Sequence, residues 1–302
     1  MIYRLLLVLL LVASCDSNGN SNGDKEPEPV FEIKSIAPLD SSLTESSGVI
    51  TIDEKLYTHS DMAGLADLLE LNTDGSIANT ITYSNIRVKD WEDTAVDDKF
   101  IYIADIGNNL GNRTDLRIFK VALSNLINTN ATAETISFSF SNQTDFGNSQ
   151  YNQTSYDAEA MVVINGQIYI FTKDWLQLNT QVYQFENVEG TYPVAPINSL
   201  NIGGLVTGAT TNPNGEIILC GYSPTLAPFV ARLVLKDGVP TVDRKVDISG
   251  MLGSGSQIEG IAYFKTVDGV PVYYLTSEKF TRTIAGQQIE FPAALYELRW
   301  ND

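Results

Sequence analysis

One short unit recurs five times along the chain, and this recurrence limits the fold more than any other feature of the sequence. The unit is a small or acidic pair, an apolar strand, a tight turn, and a second strand that ends in polar residues. Its copies are SSGVITIDEKLYTHSD (Ser46 to Asp61), WEDTAVDDKFIYIADIGNN (Trp91 to Asn109), AEAMVVINGQIYIFTKDW (Ala158 to Trp175), VTGATTNPNGEIILCGY (Val206 to Tyr222) and IEGIAYFKTVDGVPVYYLTSEKF (Ile258 to Phe280). Asn165-Gly166, Asn214-Gly215 and Asp268-Gly269 are hairpin-turn signals. A third apolar strand follows every copy: DLLELN, LRIFKVAL, QVYQFE, FVARLVL and ALYELRW. A fourth follows four of them: ANTITYS, TISFSFS, PINSLNI and VDRKVDI. The last copy ends without one, and Phe31 to Ile36 at the other end of the chain can supply it.

Helical periodicity is almost absent, so the class is all-β. Four-stranded antiparallel units repeated in a ring make a β-propeller, here with five blades and an N-terminal strand that closes the ring and hides an open edge. The interval from Glu92 to Glu159 is roughly twenty residues longer than the others. The surplus falls between Ser124 and Tyr156 and reads as elaborated loops, with a sixth, degenerate blade as the alternative.

The N-terminus has a different character. Arg4, eight apolar residues from Leu5 to Val12, and the small Ala13 and Ser14 precede Cys15. This is signal-peptide anatomy, far short of the roughly 20 apolar residues of a membrane span. Val12 to Cys15 resembles the lipobox of bacterial lipoproteins, which implies lipidation of Cys15. Residues 16–29, DSNGNSNGDKEPEP, cannot bury enough apolar surface to order themselves and read as a tether. The expected organisation is a signal peptide over 1–14, a lipidated cysteine and tether over 15–29, and a propeller domain over 30–302. The protein is then a monomer held to a bacterial membrane in the cell envelope, periplasmic or at the cell surface.

Charge narrows the partners. The formal net charge is −18, and loss of Arg4 with the signal makes it one unit more negative. Nucleic acid needs a basic footprint, which is missing. With Cys15 lipidated, Cys220 has no cysteine to pair with, and it reads as a small buried hydrophobe. The single histidine, His59, excludes multi-histidine metal sites. No GxSxG elbow, phosphate-cradling P-loop or HExxH appears, the GNSNG of the tether having no apolar strand before it.

In a propeller the first strand of each blade lines the central channel, and its opening residue sits at the mouth. Those residues are Ser47, Glu92, Glu159, Thr207 and Glu259. Three carboxylates converging in a low-dielectric channel must retain protons or bind a cation. An all-oxygen ring suits Ca2+ better than Mg2+. The inner halves of the blades resemble the calcium-activated apyrases, five-bladed propellers with Ca2+ in the tunnel, and by that likeness the same five residues are calcium ligands. The chain has Gly48 where the apyrase pattern is acidic. A second resemblance, over nearly the whole folded part, is to uncharacterised secreted bacterial propellers with E-S-S-G, T-H-x-D, W-E-D-x-A, D-I-G-x-N, D-A-E-A, T-K and T-S-E motifs. It implies the same fold and carries no activity.

Second strands end on the mouth face, so His59, Asp61, Asp105, Asn109, Lys173, Asp174, Tyr222 and Glu278 are expected there, with Arg113 close by. His59, Asp61, Asp105 and Lys173 are the candidates for catalysis; Asn109, Arg113, Asp174, Tyr222 and Glu278 are candidates for holding a ligand. Trp91 and Trp175 can stack a sugar or pack between blades. The expected function is a calcium-filled propeller whose top face binds a small-molecule or macromolecular ligand. The alternative is a calcium-dependent hydrolase of phosphoesters or nucleotides.

Overall fold

The computed structural model describes residues 30–147, 150–252, 255–284 and 286–301. The signal peptide, Cys15 and the tether lie outside these residues.

Five antiparallel sheets of four strands stand in a ring. Blade one runs through Ser46–Ile52, Lys55–Ser60, Gly64–Leu71 and Ile77–Val88. Blade two comprises Trp91–Val96, Phe100–Asp105, Arg117–Ala122 and Ala133–Phe140; blade three, Asp157–Ile164, Gln167–Lys173, Thr180–Glu186 and Pro196–Leu200. Blade four is Leu205–Thr211, Ile217–Tyr222, Pro228–Lys236 and Val239–Asp247. Blade five takes Ile258–Val267, Val270–Ser277 and Ala294–Trp300 from the C-terminal end, and Phe31–Pro38 from the N-terminal end. That last strand pairs antiparallel with Ala294–Trp300, from Phe31 against Trp300 to Pro38 against Ala294. The expected ring closure is therefore present.

Among the described residues, the Ser124–Tyr156 surplus forms no sixth blade. Residues 141–147 and 150–156 fold back over the mouth side of blades two and three. Gln143 Nε2 donates to the Gly111 carbonyl at 2.6 Å, and the Asn152 amide to the Asn109 carbonyl at 3.0 Å. Three of the described strands lie outside the repeat: Phe280–Ile284 and Gln287–Phe291 pair antiparallel as a separate hairpin, and Gly190–Val194, from blade three, adds in parallel to the outer edge of blade two. The last of these covers backbone groups that an outermost strand otherwise leaves open. Two of the hairpin signals act as expected, since Asn165-Gly166 and Asp268-Gly269 both hold two consecutive positive φ angles. At Asn214-Gly215 only the glycine does, and the turn is longer, closing from Asn212 to Glu216.

The apolar core is five seams rather than one centre. Each seam lies between neighbouring blades: Tyr57, Tyr83 and Trp91 between one and two, Phe138, Phe140 and Tyr183 between two and three. Phe171, Leu219 and Phe229 join three to four, Ile258, Tyr273 and Trp300 lie in the four–five seam, and Val49, Leu56 and Leu295 join five to one.

At the axis the inner strands come very close. The residues after the five opening positions are Gly48, Asp93, Ala160, Gly208 and Gly260. Four are small, because there is no room for more. A Cβ on Gly48 would stand 2.5 Å from Asp93 Oδ1; on Gly208, 2.7 Å from the Glu259 carbonyl; on Gly260, 2.6 Å from the Ser47 carbonyl. The fifth residue, Asp93, uses the space the others leave. Its carboxylate accepts from the amides of Thr94 and Met161 at 2.8 Å each, and of Ala209 at 3.3 Å. One buried side chain thus joins blades two, three and four. Burial pushes its pKa well above the ordinary value, opposed by those three amides.

Replacing Asp93 with alanine leaves the Met161 and Ala209 amides without their partner inside the channel. The expected loss is about 2–4 kcal/mol in urea unfolding, with Asp93→Asn closer to the parent. Equal stability of Asp93→Ala and the parent would remove this side chain from the account of how the blades are held.

Candidate functional site

Every blade carries the same irregularity at the channel mouth. The ladder between first and second strands slips by one residue at Ser46/Val49, Trp91/Asp93, Ala158/Ala160, Val206/Gly208 and Ile258/Gly260. The extra residues include Glu92, Glu159, Thr207 and Glu259, and Ser47 lies within the slip of blade one. A β-bulge takes a residue out of the pairing pattern and re-aims its side chain. This is how the opening residues are placed at the channel although the strands themselves are regular.

Their roles then diverge. The Ser47 hydroxyl donates to the Glu92 carbonyl, and the Thr207 hydroxyl to the Ile258 carbonyl at 2.6 Å. Both tie one blade to the next. Thr276 does the same between blades five and one, donating to the Ser47 carbonyl at 3.0 Å. The three glutamates face a cavity of about 210 Å3, also lined by Ser47, Asp61, Asn109, Asn152, Lys173, Trp175, Tyr222, Gln257 and Glu278. All five blades contribute to it.

The electrostatics of this cavity are lopsided. Burial raises Glu92 well above its ordinary range, reinforced by Glu159, Asp90 and Asp157. Burial also raises Glu159, opposed first by Lys173. Glu259 is raised by burial despite Lys173 and hydrogen bonds from Tyr222 and Gln257. At the rim, burial and then Glu259 and Asp61 push Glu278 up to about 9, and burial with Glu45, Asp90 and Glu259 takes Asp61 up to about 7. The one cation of the lining is Lys173, 3.3 Å from Glu159 Oε1. Burial works to lower its pKa, but Glu159, Tyr222, Glu259 and Asp157 outweigh it and hold the ammonium well above its usual value.

The predicted site residues separate into two groups. Asp61, Asn109, Lys173, Tyr222 and Glu278 meet at the mouth with Glu92, Glu159 and Glu259. His59, Asp105, Arg113 and Asp174 do not line it. His59 is fully buried, stacked on Trp91 at 3.9 Å, and burial drives its pKa down to about 3. A neutral imidazole in that position is structural. Asp105 is also fully buried. It accepts from the Lys89 and Asp90 amides and pairs with Arg113 at 3.0 Å and Arg117 at 2.9 Å. Arg113 further donates to the Gly107 carbonyl at 2.7 Å. These contacts fix the loop that carries Asn109. They also explain the glycine of D-I-G-N-N, since a Cβ on Gly107 would meet Glu92 Oε1 at 2.2 Å. Asp174 caps its own turn, accepting from Ser155 Oγ and the Leu176 and Gln177 amides. Thr207 is buried behind the lining. Of the tryptophans, Trp91 belongs to a seam and Trp175 to the cavity, its indole N–H on Asp157 Oδ2 at 3.0 Å.

Gln257 and Asn152 are lining residues that the repeat pattern does not mark, since they sit on connections outside the repeated unit. Gln257, one residue before the fifth copy, donates to Glu278 Oε2 at 3.0 Å.

Calcium fits this ring poorly. Among the described residues no three Asp, Glu, His or Cys side chains form a group able to hold a metal ion. The Lys173 ammonium lies among the glutamates, 3.3 Å from Glu159 Oε1.

Glu278 supplies a pH test. The native protein keeps its proton until about pH 9, whereas the unfolded chain releases it near the ordinary value of 4.5. In that window the unfolded state binds fewer protons, so this group lowers stability as pH rises. Thermal melts should show the parent losing melting temperature from mildly acidic pH towards pH 9, and Glu278→Gln flattening that decline. Parallel profiles for the two proteins would show that Glu278 titrates normally.

No family model and no curated protein matches the chain. Solved structures match by shape. A xylan β-1,4-xylosidase of Bacillus halodurans C-125 aligns with 87% of this chain and 54% of its own, at TM-score 0.51 and 12% identity. The PQQ-bound aldose sugar dehydrogenase of Streptomyces coelicolor aligns with 90% of this chain and 99% of its own, at TM-score 0.47 and 9% identity. A protein of unknown function from Bacteroides thetaiotaomicron aligns with 90% and 76%, at TM-score 0.49 and 9% identity. At such identities the likeness concerns fold alone, and the apyrase resemblance stays one of sequence pattern. The chain is a five-bladed β-propeller.

Proposed function

We propose that the protein is an envelope lipoprotein whose channel mouth binds one small, uncharged polyhydroxy ligand, such as a single sugar ring. The observation that carries this reading is the cavity to which all five blades contribute polar groups. Carboxyl groups that retain protons, the amides of Asn109, Asn152 and Gln257, and the Tyr222 hydroxyl offer donors and acceptors in many directions. Trp175 offers an indole against which a ring can lie. A few convergent polar groups with an aromatic wall are the usual make-up of a small-molecule site. About 210 Å3 is small for such sites, which favours a single ring over a chain.

The test is calorimetric titration of the propeller with glucose, xylose and glycerol. Saturable binding of at least one is expected, with Asn109→Ala and Trp175→Ala each weakening it about tenfold, or 1.4 kcal/mol. Binding that persists in both variants would place the ligand elsewhere, and no binding of any of the three would remove the polyol reading.

The hydrolase alternative has one observation in its favour. Asp61, at the cavity rim, is pushed up to about 7, the range of a general acid or base.

The anchor is a separate part of the proposal. Phe31 begins its strand opposite Trp300, at the end of the blade-five ladder away from the mouth. A lipid tether joined there leaves the mouth directed away from the membrane. Metabolic labelling with an alkynyl palmitate should mark the parent, and Cys15→Ser should abolish the label and release the protein from the membrane fraction. Equal labelling of both would exclude Cys15 as the acylated residue.

A further inference from the structure

Glutamates from three blades need a counter-ion, and the ring already contains one. Lys173 reaches in from the second strand of blade three. Its ammonium is 3.3 Å from Glu159 Oε1, with the two side chains 7% and 3% exposed. The rings of Trp175 and Tyr222 lie 5.2 and 5.4 Å from the same nitrogen. A carboxylate with two aromatic rings close by encloses an ammonium through both charge and quadrupole. Glu259, the third glutamate, also favours the charged ammonium. Asp157 adds to the field that favours a cation here.

A calcium ion would have to displace this arrangement. It needs six to eight oxygens at about 2.3–2.6 Å, several of them ionised. The ring instead has the Lys173 ammonium 3.3 Å from Glu159 Oε1, in the space such an ion would need. An ion placed among the glutamates would also stand within a few ångströms of a buried positive charge.

We propose that Lys173 is the resident cation of the channel: its ammonium holds the position that a metal takes in a carboxylate ring, and the mouth keeps its shape without metal. The role extends to selectivity. A cavity with its own cation turns away free metal ions and amines, and admits neutral or anionic groups. This holds whichever ligand the mouth takes, so it stands or falls apart from the polyol reading.

The experiment is a calcium titration of the parent protein by calorimetry, beside melting curves of Lys173→Ala in calcium chloride, ethylammonium chloride and sodium chloride at equal ionic strength. The parent should show no saturable calcium binding up to roughly ten times the weakest extracellular calcium sites, whose Kd values reach about 1 mM. Lys173→Ala should melt lower in sodium chloride and regain melting temperature in calcium or ethylammonium, because the emptied cage accepts an external cation. One calcium ion bound per parent molecule would overturn the proposal. So would a Lys173→Ala protein that melts like the parent and responds to neither cation. If Lys173→Ala does not fold, the parent titration decides alone, with saturable binding against the proposal and its absence in favour.

Discussion

Five blades bring their inner strands too close for five side chains at one level, and the structure follows from how that crowding is settled. One blade contributes a carboxylate at the axis and the other four give way. Asp93 takes amides from blades three and four, and Gly48, Ala160, Gly208 and Gly260 leave it space or allow neighbouring backbones to touch. Just above, hydroxyls of Ser47, Thr207 and Thr276 cross from blade to blade. The seams between blades are apolar and non-directional. These few polar contacts at the axis supply what the seams lack, a fixed registration of one blade against the next.

The same crowding makes the mouth electrically demanding. A bulge at each blade head brings three glutamates to a wall with little water. Like charges in such surroundings cannot all remain ionised. Burial favours the protonated forms of Glu92 and Glu159, and the ammonium of Lys173 lies against Glu159. It is a single positive group deep in an acidic face. Chemistry at this mouth starts from a surface much closer to neutrality than a count of its carboxyl groups suggests.

The fold could be read because its signal is repeated. Alternating apolar runs and polar strand ends recur five times, and even the closing strand, FEIKSI, declared itself by the gap it fills. The glutamates of the mouth were legible for the same reason, as each opens a repeated unit. What escaped notice depends on contacts between units. Nothing in THSD separates Asp61, which lines the cavity, from His59, which lies flat on Trp91. Asp105 looks as available as Asp61 until Arg113 and Arg117 are seen to hold it. Lys173 reads as a rim residue because distance from Glu159 is not a property of sequence spacing. A ring of oxygens suggests calcium, and the spacing of the sequence carries no sign of the ammonium that stands among them.

The outermost strand of the last blade comes from residues 31–38, and its three companions from the final stretch of the chain. Blade five therefore cannot be completed until the last strand, Ala294–Trp300, is available. Joining ends separated by most of the polypeptide is slow compared with forming a local hairpin. For a chain that emerges gradually, from a ribosome or through a narrow pore, the first four blades can form in order while the first strand waits unpaired. Ring closure is then the final step, and it acts as a check on completeness: a chain cut short before residue 294 has no partner for its own beginning.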